Sequence, residues 1–152
     1  MNKQFLTAGL ALMLGAGYSL TAFAQAKPDV LVKQRQAAMT LQGKYFGPLG
    51  GMAQGKVPYD LKIVARNAGY LDALSKMAWD GFNPSTKDEK SATLPAAYTD
   101  TAKFKEAGDR FEAEVAKLVA VSKGGDEAAV KAQIGAVGKT CGGCHESFRE
   151  KR

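Results

Sequence analysis

Apolar residues recur at helical spacing along four stretches of the chain. These stretches cover residues 29–52, 60–78, 99 or 100 to 123, and 126 to the C-terminus. Side chains three, four and seven residues apart share one face of a helix, so each stretch predicts an amphipathic helix. No run of alternating β-branched residues competes with this pattern. Four such helices bury their apolar faces together, which predicts an all-α, antiparallel up-and-down four-helix bundle.

The segments between these stretches carry turn-forming residues. Pro48 and the pair Gly50-Gly51 are expected to bend or fray the end of the first helix. Residues 54–58 predict a turn, and residues 83–95, with two prolines and little periodicity, predict a long loop. The inward face predicted for the second helix consists of Leu61, Val64, Ala65, Ala68, Leu71, Leu74 and Ala78.

The first 24 residues have the pattern of a cleaved signal peptide. Lys3 gives a positive start, residues 5–20 form an apolar run, and Ala22-Phe23-Ala24 is a small-x-small cleavage site. The flank after Ala24 is a weak stop for a membrane anchor, and no second segment is long and apolar enough to span a membrane. We therefore expect a periplasmic protein whose single domain comprises residues 25–152.

The composition is that of an ordinary globular domain. Hydrophobic residues make up 45% and charged residues 24% of the 152 residues, which suits one hydrophobic core. The net charge of +6 comes from basic residues scattered singly among acidic ones, without a basic cluster interleaved with aromatics. This pattern, together with export, argues against nucleic-acid binding.

The scarce chemical residues are concentrated in one motif, Cys141-Gly142-Gly143-Cys144-His145. The chain has two cysteines and one histidine, which excludes a four-cysteine cluster or a two-histidine metal site within it. C-x-x-C-H is the attachment sequence for c-type haem, in which both thiols form thioethers with the haem vinyl groups. On a helix all three side chains share one face, and His145 is the one imidazole that can bind the iron as an axial ligand.

Three other interpretations of the cysteine pair are open. Cys141 and Cys144 could close a structural disulfide in a haem-free bundle, form a thiol redox pair, or supply half of a zinc site. A redox pair is usual beside a strand-to-helix turn, and a zinc site lacks its other ligands. The signal peptide and the all-helical pattern favour one covalent haem c over these three interpretations.

The chain resembles the cytochrome c prime family, including its low-spin relatives with a methionine ligand. The C-terminal motif 141–149 carries the resemblance, and segments 35–41, 58–60, 79–82, 98–100 and 104–105 extend it along the mature chain. The family implies a bundle with the haem on its last helix. It also implies a homodimer through the first two helices, where Gly43, Gly47 and Gly50 would allow close approach.

The resemblance also implies roles for residues around the iron. Met39 falls on the distal haem face, where a methionine either binds the iron or lies beside it as a core side chain; Met52 and Met77 are the other methionines of the mature chain. Arg35 pairs with a haem propionate and Gln36 lies at the same edge. Arg149 lies beside the proximal imidazole. Each arginine could instead be a solvated cation.

Aromatic and loop residues complete the predicted pocket. Trp79, Phe82 and Phe148 are expected as its walls or as plain core, and Thr93 and Leu94 lie in a loop that covers a haem edge. The function expected is single-electron transfer between redox partner proteins, and the alternative is NO or CO binding at a five-coordinate haem. An enzyme is not expected, because the chain offers no acid–base pair and its histidine is committed to iron.

Overall fold

The computed structural model describes residues 26–151. The predicted signal peptide, residues 1–24, lies outside the described residues, so its cleavage stays a prediction. Within residues 26–151, no helix combines the length and the apolar character needed to cross a membrane.

Four long helices and one short helix make up the described chain. The long helices are α1 (Pro28–Ala53), α2 (Leu61–Ser75), α4 (Thr101–Gly124) and α5 (Glu127–Phe148), and the short one is α3 (Ala96–Thr99). Two 3₁₀ turns, Trp79–Phe82 and Pro84–Thr86, lie between α2 and α3. This part of the chain contains no strand, so the all-helical prediction is confirmed.

Aspartates begin the later helices, because their carboxylates accept hydrogen bonds from backbone N–H groups that the first helical turn leaves unpaired. Asp60 accepts from the amides of Lys62 and Ile63 at 2.8 and 3.1 Å. Asp126 caps α5 in the same way, and Asp100 caps α4. Gly125, with φ of 78°, ends α4 in a left-handed conformation that suits glycine. These boundaries agree with the prediction.

The four long helices form a closed ring of neighbours. α1 packs on α2, α2 on α4, α4 on α5, and α5 on α1. This is the arrangement expected of an up-and-down bundle whose consecutive helices are antiparallel neighbours. The main core lies along the axis of the ring and consists of Leu49, Met52, Val64, Ala68, Leu71, Phe111, Val115, Leu118, Val130, Ile134 and Val137.

Several sequence expectations need correction. The second helix, expected over residues 60–78, ends at Ser75, so Ala78 is buried as expected but lies beyond the helix. α1 does not fray at Pro48 but continues to Ala53. Pro48 has no N–H to donate to the carbonyl of Lys44. Both residues are exposed, so water can bind that carbonyl. Ala65 is exposed although it was assigned to the inward face of α2. Residues 83–95 are not wholly irregular, because Pro84–Thr86 forms a 3₁₀ turn.

Candidate functional site

Two adjoining cavities open between α1, α5 and the segment that joins α2 to α3. The larger has a volume of about 530 Å³ and the smaller about 290 Å³. Both are lined by Met39, Trp79, Cys144, His145 and Arg149, so they form two parts of one site. The volume of the larger cavity lies in the range of cofactor pockets, and the smaller cavity extends it.

The motif on α5 supplies the reactive side chains of the site. Cys144 and His145 line both cavities and Cys141 lines the smaller one, as one helix face requires, while Gly142 and Gly143 are exposed. Cys141 and Cys144 are not joined to each other by a disulfide, and burial raises the pKa of each thiol. The sulfur atoms are thus available for attachment.

His145 is half-buried beside Arg149. Burial lowers the pKa of the imidazole, and the Arg149 cation acts in the same direction. The neutral imidazole that results has a free lone pair, which is the form that binds a metal. Arg149 is exposed and borders both cavities, so it lies near the imidazole, as the resemblance implied.

An aromatic cluster forms one wall of the larger cavity. The ring centroids of Phe82 and Phe104 lie 4.7 Å apart, those of Phe104 and Phe148 5.2 Å, and those of Trp79 and Phe104 6.0 Å. Trp79 packs over Gly108 of α4, where a Cβ would lie 3.2 Å from the indole ring. These close ring contacts make one wall of the cavity apolar.

Arg35 is deeply buried, with 3% of its surface exposed, and it borders the larger cavity. Its guanidinium donates to the carbonyl of Gly81 and to hydroxyl groups of four residues, and its Cζ lies 4.5 Å from the Phe82 ring centroid. The hydroxyl partners are Thr86, Tyr98, Ser91 and Thr93, at 3.2, 2.9, 2.8 and 3.1 Å. This geometry excludes the interpretation of Arg35 as a solvated cation.

Every partner of Arg35 among the described residues is neutral, and no carboxylate of residues 26–151 forms an ion pair with it. A buried cation without a counter-ion is costly, since neutral hydrogen bonds replace only part of its hydration. Because Arg35 borders the cavity, an anionic group bound there would supply the missing counter-charge.

The chain end pairs with the loop at the rim of the larger cavity. The amide of Leu94 donates to the carbonyl of Phe148 at 3.0 Å, and the amide of Glu150 donates to the carbonyl of Ala92 at 2.8 Å. Thr93 and Arg149 thereby form an isolated antiparallel bridge, and α5 ends at Phe148 instead of running to the C-terminus as expected. The pairing holds Thr93 at the cavity, whereas Leu94 does not line it.

The structure brings nearly all predicted residues to one site. Met39 lines both cavities, and Gln36, Phe82 and Phe148 line the larger one. Sequence reasoning did not assign several further lining residues to the pocket: Thr40, Gln42, Gly43, Phe46, Leu71, Ser91, Ala92, Phe104, Ala107 and Phe111. Phe46, Leu71 and Phe111 read as core residues from their spacing alone, and Ser91 lies in a segment without periodicity.

These features fit a haem. Two thiols and an imidazole on one helix face border an aromatic-walled cavity, and its polar end carries a buried guanidinium that lacks a counter-ion. Haem offers vinyl groups, iron, an apolar macrocycle and carboxylates, which match these groups in turn. Among the described residues no cluster of three or more metal-binding side chains is present. Fold and site therefore define a helical-bundle c-type cytochrome with one haem.

Comparison with known proteins identifies the family of this cytochrome. The chain belongs to the Cytochrome C' family, whose sequence pattern matches residues 30–149. Cytochrome c' of Rubrivivax gelatinosus is 44% identical over 126 residues, covering 82% of this chain and 98% of that protein. Cytochrome c' of Alcaligenes xylosoxydans xylosoxydans is 35% identical over 127 residues, covering 84% and 98%. The cofactor of the family, and so of this chain, is one covalently attached haem c.

Solved structures agree with this assignment. The crystal structure of the Rubrivivax gelatinosus cytochrome c' has a TM-score of 0.78 at 42% identity, covering 82% of this chain and 98% of that one. The nitric oxide complex of a variant cytochrome c prime from Alcaligenes xylosoxidans has a TM-score of 0.77 at 35% identity, covering 84% and 99%. A carbon monoxide-bound variant of the same protein is also similar, with a TM-score of 0.76 at 36% identity, covering 83% and 98%.

Proposed function

We propose that this c-type cytochrome carries single electrons between redox partner proteins in the periplasm, with His145 as an axial iron ligand. The observation that carries the proposal is that His145 of α5 and Met39 of α1 border the same two cavities. With haem bound, His145 and Met39 would both be able to hold the iron, and this pair of ligands would supply a one-electron couple of raised potential, suited to outer-sphere electron transfer.

The chain's own residues would hold and shield the cofactor. When bound, haem supplies a one-electron iron couple. Cys141 and Cys144 attach it through thioethers, and His145 presents the neutral imidazole. Arg35 supplies the positive charge for a haem propionate, and the aromatic cluster keeps water from the macrocycle. Absorption spectra of oxidised and reduced protein test this proposal, and absence of a Soret band would refute it.

Met39 is the methionine that the site favours as the sixth ligand. Met52 belongs to the core and Met77 is 59% exposed, and neither lines the two cavities of the site. Replacing Met39 with alanine should convert a low-spin spectrum to a high-spin one, while Met77→Ala, the matched control, should leave the spectrum unchanged. A parent protein that is already high-spin in both oxidation states would refute methionine ligation.

A second function, binding of NO or CO, is favoured by the solved complexes of similar proteins with these gases. The smaller cavity supports it, because Phe46, Leu71 and Phe111 give an apolar lining that accepts small neutral diatomics. Under this proposal Met39 lies beside the iron without binding it. Titration with CO separates the two functions: the parent should bind CO readily if the position is open, and only after Met39→Ala if the methionine occupies it.

Periplasmic export belongs to the same proposal. Mass spectrometry of protein matured in a host with haem-attachment machinery should show a chain that begins at Gln25 and carries the mass of one haem. A retained leader would refute the cleavage site, and the absence of the haem mass would refute the proposed cytochrome.

We propose that the protein forms a homodimer through α1 and α2. Leu41 of α1, Tyr70 of α2 and Met77 just beyond it are 39, 46 and 59% exposed, which is high for large apolar residues. Gly47 lines neither cavity and has no neighbouring atom within 4 Å of the position that a Cβ would take, so this part of α1 is open to close approach. Sedimentation of the holoprotein at micromolar concentration should give a dimer, and a monomer would refute the interface.

A further inference from the structure

Ser91 and Thr93 place hydroxyl groups at the polar end of the larger cavity. Both residues line this cavity, and their hydroxyl oxygens accept hydrogen bonds from Nη2 of Arg35 at 2.8 and 3.1 Å. A hydroxyl that accepts a hydrogen bond still has its own hydrogen to donate. Within residues 26–151 neither hydroxyl donates to another group, so both donors are available to a molecule in the cavity.

The other terminal nitrogen of Arg35 is directed away from the cavity. Nη1 donates to the carbonyl of Gly81 and to the hydroxyls of Thr86 and Tyr98, and none of these three residues lines the cavity. The guanidinium is thus anchored on one side by the loop. Its remaining positive side, with Ser91 and Thr93, forms the boundary of the cavity.

We propose that Ser91 and Thr93 bind a haem carboxylate directly, alongside Arg35, so that α1 and the loop together form one carboxylate-binding site. The inference rests on the cytochrome function proposed above. It gives Thr93, which the resemblance places in a loop at a haem edge, a direct hydrogen bond to the haem, and it adds Ser91 to the site. No aspartate or glutamate lines the cavity in the described chain. One cation and two neutral donors would therefore satisfy a carboxylate, without a competing negative charge.

The proposed site has a consequence for the iron potential. Hydrogen bonds to the charged form of an acid keep its pKa low. With haem bound, Cys144 would be a thioether and His145 an iron ligand, so the other charged groups lining the cavity are Arg149 from the chain end and Arg35 itself. Ionisation of a haem carboxylate would add a negative charge near the iron and lower its midpoint potential, so the potential plotted against pH would bend at the pKa of that carboxylate in each oxidation state.

Substitutions that remove only the hydroxyls test the inference. Ser91→Ala and Thr93→Val carry no charge, so they should leave the midpoint potential unchanged well above and well below the bend. Each should move the bend upward by about one pH unit, the scale of a lost hydrogen bond to a charged group. Thr93→Ser keeps the hydroxyl and should retain the parent profile. Ser85→Ala, an exposed position in the same loop, is the matched control.

The outcome that overturns the inference is a bend that stays in place in the double variant while the Soret band and the mass of one haem are intact. A Thr93→Ser profile displaced as far as that of Thr93→Val would overturn it too, because the hydroxyl would then be irrelevant. If the double variant does not mature, the single variants decide by the same criterion. Failure of the proposed function is distinct, since the parent would then lack the haem itself.

Discussion

Replacing Gly81 with alanine should destabilise the protein strongly. Gly81 lies in the 3₁₀ turn Trp79–Phe82, pressed against α1. A Cβ built there would lie 2.5 Å from the Cβ of Arg35 and 2.8 Å from the carbonyl oxygen of Leu31. Carbon atoms pack at about 3.5–4.0 Å, and neither neighbour is the flexible end of a side chain, so the turn must move about 1 Å from the helix.

The cost follows from two contributions. Overpacking of this kind costs about 1–3 kcal/mol. The displacement also weakens the hydrogen bond from Arg35 to the Gly81 carbonyl, and a bond from a charged donor contributes about 1.5–3 kcal/mol. The sum of about 2.5–6 kcal/mol corresponds to a fall of roughly 10–25 °C in Tm for a domain of this size.

Thermal unfolding of the haem-loaded protein, followed by circular dichroism, measures this effect. Gly135→Ala is the matched control, because Gly135 is an exposed glycine within α5 with no atom within 4 Å of a built Cβ. It should raise stability by about 0.5–1 kcal/mol through helix propensity alone. A Tm of Gly81→Ala within about 2 °C of the parent would show that the turn does not press on α1 as described.

Three further substitutions test other parts of the fold by the same melting assay. Asp60→Ala removes the cap of α2 and should cost about 1 kcal/mol. Trp79→Phe loses the hydrogen bond from Nε1 to Glu112 at 2.6 Å and should cost about 1–2 kcal/mol, without loss of haem. A hydrogen bond from Lys117 lowers the pKa of Glu114 in the folded state. The stabilisation from this carboxylate is therefore present above the ordinary pKa of 4.5 and is lost as the pH falls through the lowered pKa. Glu114→Gln should reduce the loss of stability in acid, and a pH profile of Tm equal to that of the parent would contradict this prediction.

Local sequence signals account for most of the bundle. The caps at Asp60, Asp100 and Asp126 and the stop at Gly125 act within one helical turn, so they can be read along the chain. Helical spacing also identifies the buried faces, although it does not say which positions a neighbouring helix covers. Ala65 is exposed for that reason.

For the site, too, residues close together in the sequence could be predicted, whereas contacts between distant segments could not. Cys141, Cys144 and His145 could be predicted because they belong to one helix and one motif. The environment of Arg35 could not, since its partners lie 46–63 residues away and meet it only when the loop folds against α1. The resemblance indicated a carboxylate partner for Arg35. The hydroxyl groups that accept hydrogen bonds from Arg35, and the place of Ser91 among them, become visible only in the folded structure.

The backbone pairing of residues 92–94 with 148–150 decides how the protein can be labelled and shortened. An affinity tag placed before the predicted leader would be removed with it, so purification of the mature form requires a tag at the other end. A tag joined after Arg152 begins beyond the amide of Glu150 and leaves both backbone bonds in place. Deletion of residues 149–152 would remove the hydrogen bond from Glu150 to Ala92 and the bridge partner of Thr93, Arg149. The loop would then be held to the end of α5 only by the bond from Leu94 to Phe148.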